Sequence, residues 1–213
     1  MELHLSRDST TTVVLSCAPK QAATGSANTL VEATPLYHIY SPGTFTRRTT
    51  FISRIDPTSA LKLEHKFKSS DKKDIKERAA YLDGGVEEFA RIHWHTLSSA
   101  KLVYNMQIID LDRFMTGSDL IGSARMFTGP DGLSYSWHLG QMMSHLTLNA
   151  TGSDGSSKEV AKFYPQTNLR SSNAKPYLDV HPEGLHMLDL IVITWVYIET
   201  RRRELEKRRP API

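Results

Sequence analysis

Cysteine is nearly absent from this chain of 213 residues: Cys17 stands alone, so no internal disulfide can form and a reducing compartment is expected. The first residues, Met1-Glu2-Leu3-His4-Leu5-Ser6-Arg7-Asp8, lack the apolar stretch of a secretory leader, which points to a cytoplasmic protein. On that reading the triplet Asn149-Ala150-Thr151 carries no glycan. Charge of one sign is scarce too, with 26 basic against 23 acidic residues, so specific nucleic-acid binding is not expected. There is no internal repeat and no G-x-S-x-G elbow for a nucleophile. Gly84-Gly85 leads into no phosphate-loop pattern. Long apolar runs are missing as well, with one exception.

That exception is Leu185–Ile198, followed by Glu199-Thr200-Arg201-Arg202-Arg203. As a helix it would reach roughly 21 Å, short of the roughly 30 Å core of a bilayer. Asp189 near its start would cost about 2.5–3.5 kcal/mol at mid-membrane. A run apolar on all sides must be enclosed, and Pro182, Gly184 and the following arginines suit a helix. We therefore expect a buried C-terminal helix, despite the strand propensity of Ile191–Ile198.

Upstream, short β-rich runs alternate with turn-formers: Leu3–Leu5, Thr12–Ser16, Leu36–Tyr40, Thr49–Ile55, Glu88–His95, Lys101–Tyr104, Gln107–Leu111, Ala124–Thr128, Ser134–Leu139, His145–Asn149, Glu159–Tyr164 and Tyr177–Val180. Such a succession predicts an antiparallel sandwich or barrel. The clearest unit is the hairpin at Phe127-Thr128-Gly129-Pro130-Asp131-Gly132. After it Leu133, Tyr135, Trp137 and Leu139 should face the core, and Ser134, Ser136 and His138 water. Residues 1–205 are expected to form one domain, with surface inserts at 18–33 and 62–85 and a basic, proline-containing tail at 206–213.

Three features invite a chemical reading. His93-Trp94-His95 places two imidazoles on one side of a strand, a spacing that can hold a metal, but no third ligand is evident. The plainer reading is exposed strand histidines, and no cofactor is expected. Asp189 must be paired or hydrogen-bonded if buried; the helix N-terminus can satisfy it. Arg201, Arg202, Arg203, Lys207, Arg208 and Arg209 complete the helix dipole in water, meet anionic headgroups or a protein partner, or are compatible with a nuclear-import signal; Glu199, Glu204 and Glu206 offset part of their charge.

The hairpin with Tyr135 and Trp137, then Pro182-Glu183-Gly184, Leu188-Asp189-Leu190-Ile191-Val192, Thr194, Val196-Tyr197 and Glu199, resembles a fungal family of uncharacterised proteins, domain of unknown function 6593. The resemblance runs from Leu3 to about Glu204; the two inserts, Ser136 and His138 depart from it. The layout is also similar to the tubby C-terminal-like group, which includes phospholipid scramblases and LURP-one proteins. That likeness implies a mainly β fold, a closed antiparallel β-barrel around a buried apolar C-terminal α-helix. Because tubby-type members bind phosphoinositides, it also brings anionic phospholipid into view. The expected function is a non-enzymatic intracellular binding or scaffold domain. A tail-anchored or scramblase-like membrane protein, and a metal-dependent enzyme at His93 and His95, are the competing expectations.

Overall fold

The computed structural model describes residues 1–17, 33–42, 48–56, 85–95, 98–117, 123–140, 143–149, 156–166 and 175–208. The fold is mainly β. Thirteen strands form one antiparallel sheet: β1 (Glu2–Leu5), β2 (Thr12–Cys17), β3 (Thr34–Tyr40), β4 (Thr49–Ile55), β5 (Val86–His93), β6 (Lys101–Tyr104), β7 (Gln107–Asp110), β8 (Thr116–Gly117), β9 (Ala124–Thr128), β10 (Ser134–Leu139), β11 (Ser144–Leu148), β12 (Lys158–Tyr164) and β13 (Tyr177–Val180). Chain neighbours are sheet neighbours except β7 and β8, and one pairing joins strands far apart in the chain: β1 lies between β2 and β13, with Leu3 opposite Leu178. The insert at 18–33 lies outside the described residues apart from Ala33, and that at 62–85 apart from Gly85.

The sheet is not closed, contrary to the barrel expected from the sequence: β7 and β8 are its two ends, and they do not pair with each other. Asp110 is the reason. Its carboxylate accepts from the backbone N–H groups of Asp112 (3.1 Å) and Arg113 (3.2 Å), capping a short helix, α1 (Leu111–Phe114), where strand was expected to run on to Leu111. Leu111 and Met115 turn inward and are wholly buried, so beyond Asp110 the chain leaves the ladder and enters the core.

At the other end of the chain a 3-10 turn, Pro182–Met187, leads into α2 (Leu188–Arg208). Proline suits this start because its missing N–H would have no helical partner. Ile191 through Glu199 are all 0% exposed. Nine successive buried residues cover about two and a half turns, so every face of the helix is enclosed. The sheet curls around it: Trp137 Nε1 of β10 donates to Thr194 Oγ1 (2.9 Å), and the Phe163 ring of β12 meets Trp195 at 5.2 Å. Trp94, just past β5, stacks on Tyr197 at 5.9 Å. Each large apolar side chain enclosed this way contributes about 1.5–3 kcal/mol before ordering costs.

Among the described residues no helix is long and apolar enough to cross a membrane. The helix continues through Glu206 to Arg208, into the basic segment, and Arg202 pairs with Glu206 one turn on. One detail differs from expectation. Ser136, expected to face water, is 6% exposed; its carbonyl accepts from Thr147 Oγ1 of β11 (3.5 Å).

Candidate functional site

The arginines after the apolar run come together with acids of their own helix and with Asp8 and Asp112, both far away in the chain. Glu199 is fully buried, and its carboxylate accepts from Arg202 Nε (2.8 Å) and Nη2 (2.6 Å) and from Arg203 Nε (2.9 Å). The bidentate fork of Arg202 is the geometry guanidinium and carboxylate prefer, and it keeps the guanidinium firmly protonated. Arg202 also reaches Glu206, and Arg203 reaches the carboxylate of Asp8 and, at 2.9 Å, its backbone oxygen. Beside them Thr10 and Thr200 share a buried hydroxyl bond of 2.9 Å.

Arg201 leans over the Tyr197 ring and approaches Asp112 of α1 at 3.5 Å. The Tyr197 hydroxyl donates to the same carboxylate (2.7 Å); burial first, then this bond, raises the phenol's pKa. Burial alone would lift Asp112, but Tyr197, Arg201 and Arg125 outweigh it and hold the carboxyl below its usual range. Arg48 completes this end, stacked over Trp94 at 4.8 Å and 3.4 Å from Glu204. Lys207 is exposed; Arg208 ends the helix, its side chain lies outside the described residues, and so does Arg209. Among the described residues the cluster thus behaves chemically as a set of internal ion pairs beside an open lysine, Lys207.

At the N-terminal end of α2, Asp189 accepts from the Tyr37 hydroxyl of β3 (2.8 Å) and from two nitrogens of Arg54 of β4, Nε at 3.2 Å. Strand side chains, rather than the helix N–H groups expected, satisfy it. Burial and then the bond to Asp189 push the Tyr37 phenol well above its ordinary value.

The hairpin motif meets the same end. Asp131 accepts from the Tyr135 hydroxyl (2.7 Å) and the Leu133 N–H (3.1 Å), while His186 of the 3-10 turn stands 3.2 Å away. Phe127 stacks on Tyr135 at 5.7 Å, and Gly132 N–H closes the turn on Gly129 O at 3.0 Å, with Thr128 and Pro130 outermost and exposed. A Cβ on Gly129 would fall 2.6 Å from the Tyr135 ring, and one on Gly184 2.7 Å from Val160, so both positions require glycine. The residues that carry the family resemblance, far apart in the chain, lock one end of the helix to the sheet.

His93 closes β5 and its Nδ1 lies 3.1 Å from Thr49 Oγ1, whereas His95 lies beyond the strand and is exposed. No group of three or more metal-capable side chains occurs among the described residues. The sequence reading missed Glu199 as an anchor; its i,i+3 and i,i+4 spacing to Arg202 and Arg203 was the available signal. It also missed Asp8 and Asp112, for which no local signal exists.

A family model described as a family of unknown function (DUF6593) matches residues 23–204. No curated protein and no solved structure matches the chain.

Proposed function

The chain belongs to the DUF6593 family of unknown function, and we propose that it is a non-enzymatic intracellular binding and scaffold domain whose partner is another protein. One observation supports this reading: the side chains open to a chemical role are engaged within the chain. Asp189 is held by Tyr37 and Arg54, Asp131 by Tyr135 and His186, and Arg202 and Arg203 by Glu199. Such groups build a rigid platform. The fungal and tubby-like kinship is part of the same proposal, supported by a sheet curled about one apolar C-terminal helix, with the closure left out.

Anionic phospholipid is the second reading, favoured by exposed Lys207 and by Arg201, whose side chain is 41% exposed. Two measurements test the pair. Purification of the full chain from its cell of origin should bring down one protein in stoichiometric ratio, stable to high salt. Flotation with phosphatidylserine vesicles should leave the chain at the bottom. Flotation that disappears in Arg201→Ala/Lys207→Ala would transfer the conclusion to lipid; a chain that comes down alone and never floats would overturn both.

A further inference from the structure

We propose that the free edge of β7 docks an extended peptide segment of the protein partner, which pairs as one more strand of the sheet; this rests on the binding-domain reading above and gives it a place. β6 and β7 form a tight hairpin, Tyr104 opposite Gln107 and Leu102 opposite Ile109. Leu111 N–H donates to Ala100 O at 2.9 Å. In an antiparallel ladder the bonded pairs alternate, so Gln107 and Ile109 turn their backbone groups toward β6 and Ile108 turns its N–H and C=O outward. β7 is the last strand of the sheet, so no described strand receives them.

The side chains at this edge are of the wrong kind for bare solvent. Met106 is 101% exposed and Ile108 76%, the two most exposed large apolar residues among those described. Met106 is also strained: Asn105 and Met106 have φ of 49° and 59°, the turn in which the second place favours glycine. An exposed methionine in the left-handed region gains nothing from its own fold, and backbone outliers of this kind gather at functional surfaces. Folded proteins protect an edge by keeping it short or by placing charge, proline or a bulge on it; β7 is short and ends in Asp110, but Gln107-Ile108-Ile109 carries no charge and no proline.

Size and charge identify the occupant. Four strand residues and a turn offer far less than the roughly 20–30 residues a side of a stable complex of two folded surfaces. They suit a short strand, which takes affinity from main-chain bonds and specificity from alternate side chains. Lys101 is paired with Asp110 at 2.7 Å and Arg91 with Glu88 at 2.6 Å. Arg113, on α1 directly after β7, is exposed and makes no ion pair among the described residues. The peptide chemistry that fits is alternating apolar residues over Ile108 and Met106 with an acidic residue near Arg113.

The test is selection of random twelve-residue peptides displayed on phage against the immobilised full chain, followed by fluorescence anisotropy with the selected peptides. Ile108→Pro removes the outward N–H together with the exposed isoleucine side chain and fixes φ, and Ile108→Lys protects the edge in case the proline variant melts early. Selected peptides should alternate apolar residues around an acid. They should bind both Ile108 variants about tenfold more weakly or worse, with unchanged melting for at least one variant, and bind Arg113→Glu more weakly than wild type. No selected peptide, or peptides indifferent to both Ile108 variants, overturns the proposal. So does concentration-dependent dimerisation in sedimentation that Ile108→Lys abolishes, because the occupant is then a second copy. If the edge fails while the stoichiometric partner of the preceding experiment persists, the domain binds elsewhere; if both fail, the binding reading falls with it.

Discussion

The two ends of α2 solve the same electrostatic problem at different depths. At its N-terminal end Asp189 keeps 23% of its side chain exposed, and its partner Arg54 keeps 47%. Water screens that pair and shares its bonds. At the C-terminal end Glu199 has no exposure, and Arg202 beside it has 9%. There the charges are satisfied within the protein, by each other, by Asp8 and by Glu206. Depth, not the count of ion pairs, therefore decides how much each end matters: a buried charge that loses its partner has no solvent to turn to.

Removing Glu199 should have the largest effect. Glu199→Ala removes the buried carboxylate that Arg202 and Arg203 share, leaves Arg202 its bond to the half-exposed Glu206, and should lower stability by about 3–5 kcal/mol, read from urea unfolding. Asp189→Ala strands a phenol and a half-exposed guanidinium that water can reach, and the expected loss is about 1–3 kcal/mol by the same measurement. If the two losses came out equal, or in reverse order, the contrast of depth would be wrong. The smallest effect belongs to Tyr135→Phe, which deletes one hydrogen bond to Asp131 and about 1 kcal/mol.

The same tyrosine sharpens the contrast through pH. Burial, then the bond to Asp131, pushes its pKa from 10.0 up to about 12. The folded state therefore holds this proton more tightly than the unfolded state does. The stability it contributes is complete below pH 10 and is lost as pH rises toward about 12. Melting curves across that window should fall less steeply for Tyr135→Phe than for wild type; parallel curves would remove Tyr135 from the N-terminal lock.

Much of the sheet was legible because strand residues alternate: Thr49–Ile55, Lys101–Tyr104, Ala124–Thr128 and Ser134–Leu139 begin and end where the turn-formers place them. The enclosed helix was legible from its apolar length. Closure of the sheet was not. Ile108-Ile109-Asp110-Leu111 reads as one continuing strand, and only the capping by Asp110 reveals the bend. The partners of the basic cluster were hidden for a related reason. Arg201 and Arg203 meet Asp112 and Asp8, acids that no window around the arginines contains. Local pattern reveals the elements; pairings across the whole chain become visible only in three dimensions.

The pairing of β1 with β13 has a bearing on biosynthesis. The Met1 amino group bonds to the carbonyl of Val180, 179 residues later, and the plug α2 follows after that. While the chain is still on the ribosome its strands have neighbours but nothing to wrap, so their inward faces wait uncovered until α2 emerges. The hairpins can form early, but the long-range pairing of β1 with β13 comes late and slowly, and exposed apolar faces in that interval invite aggregation.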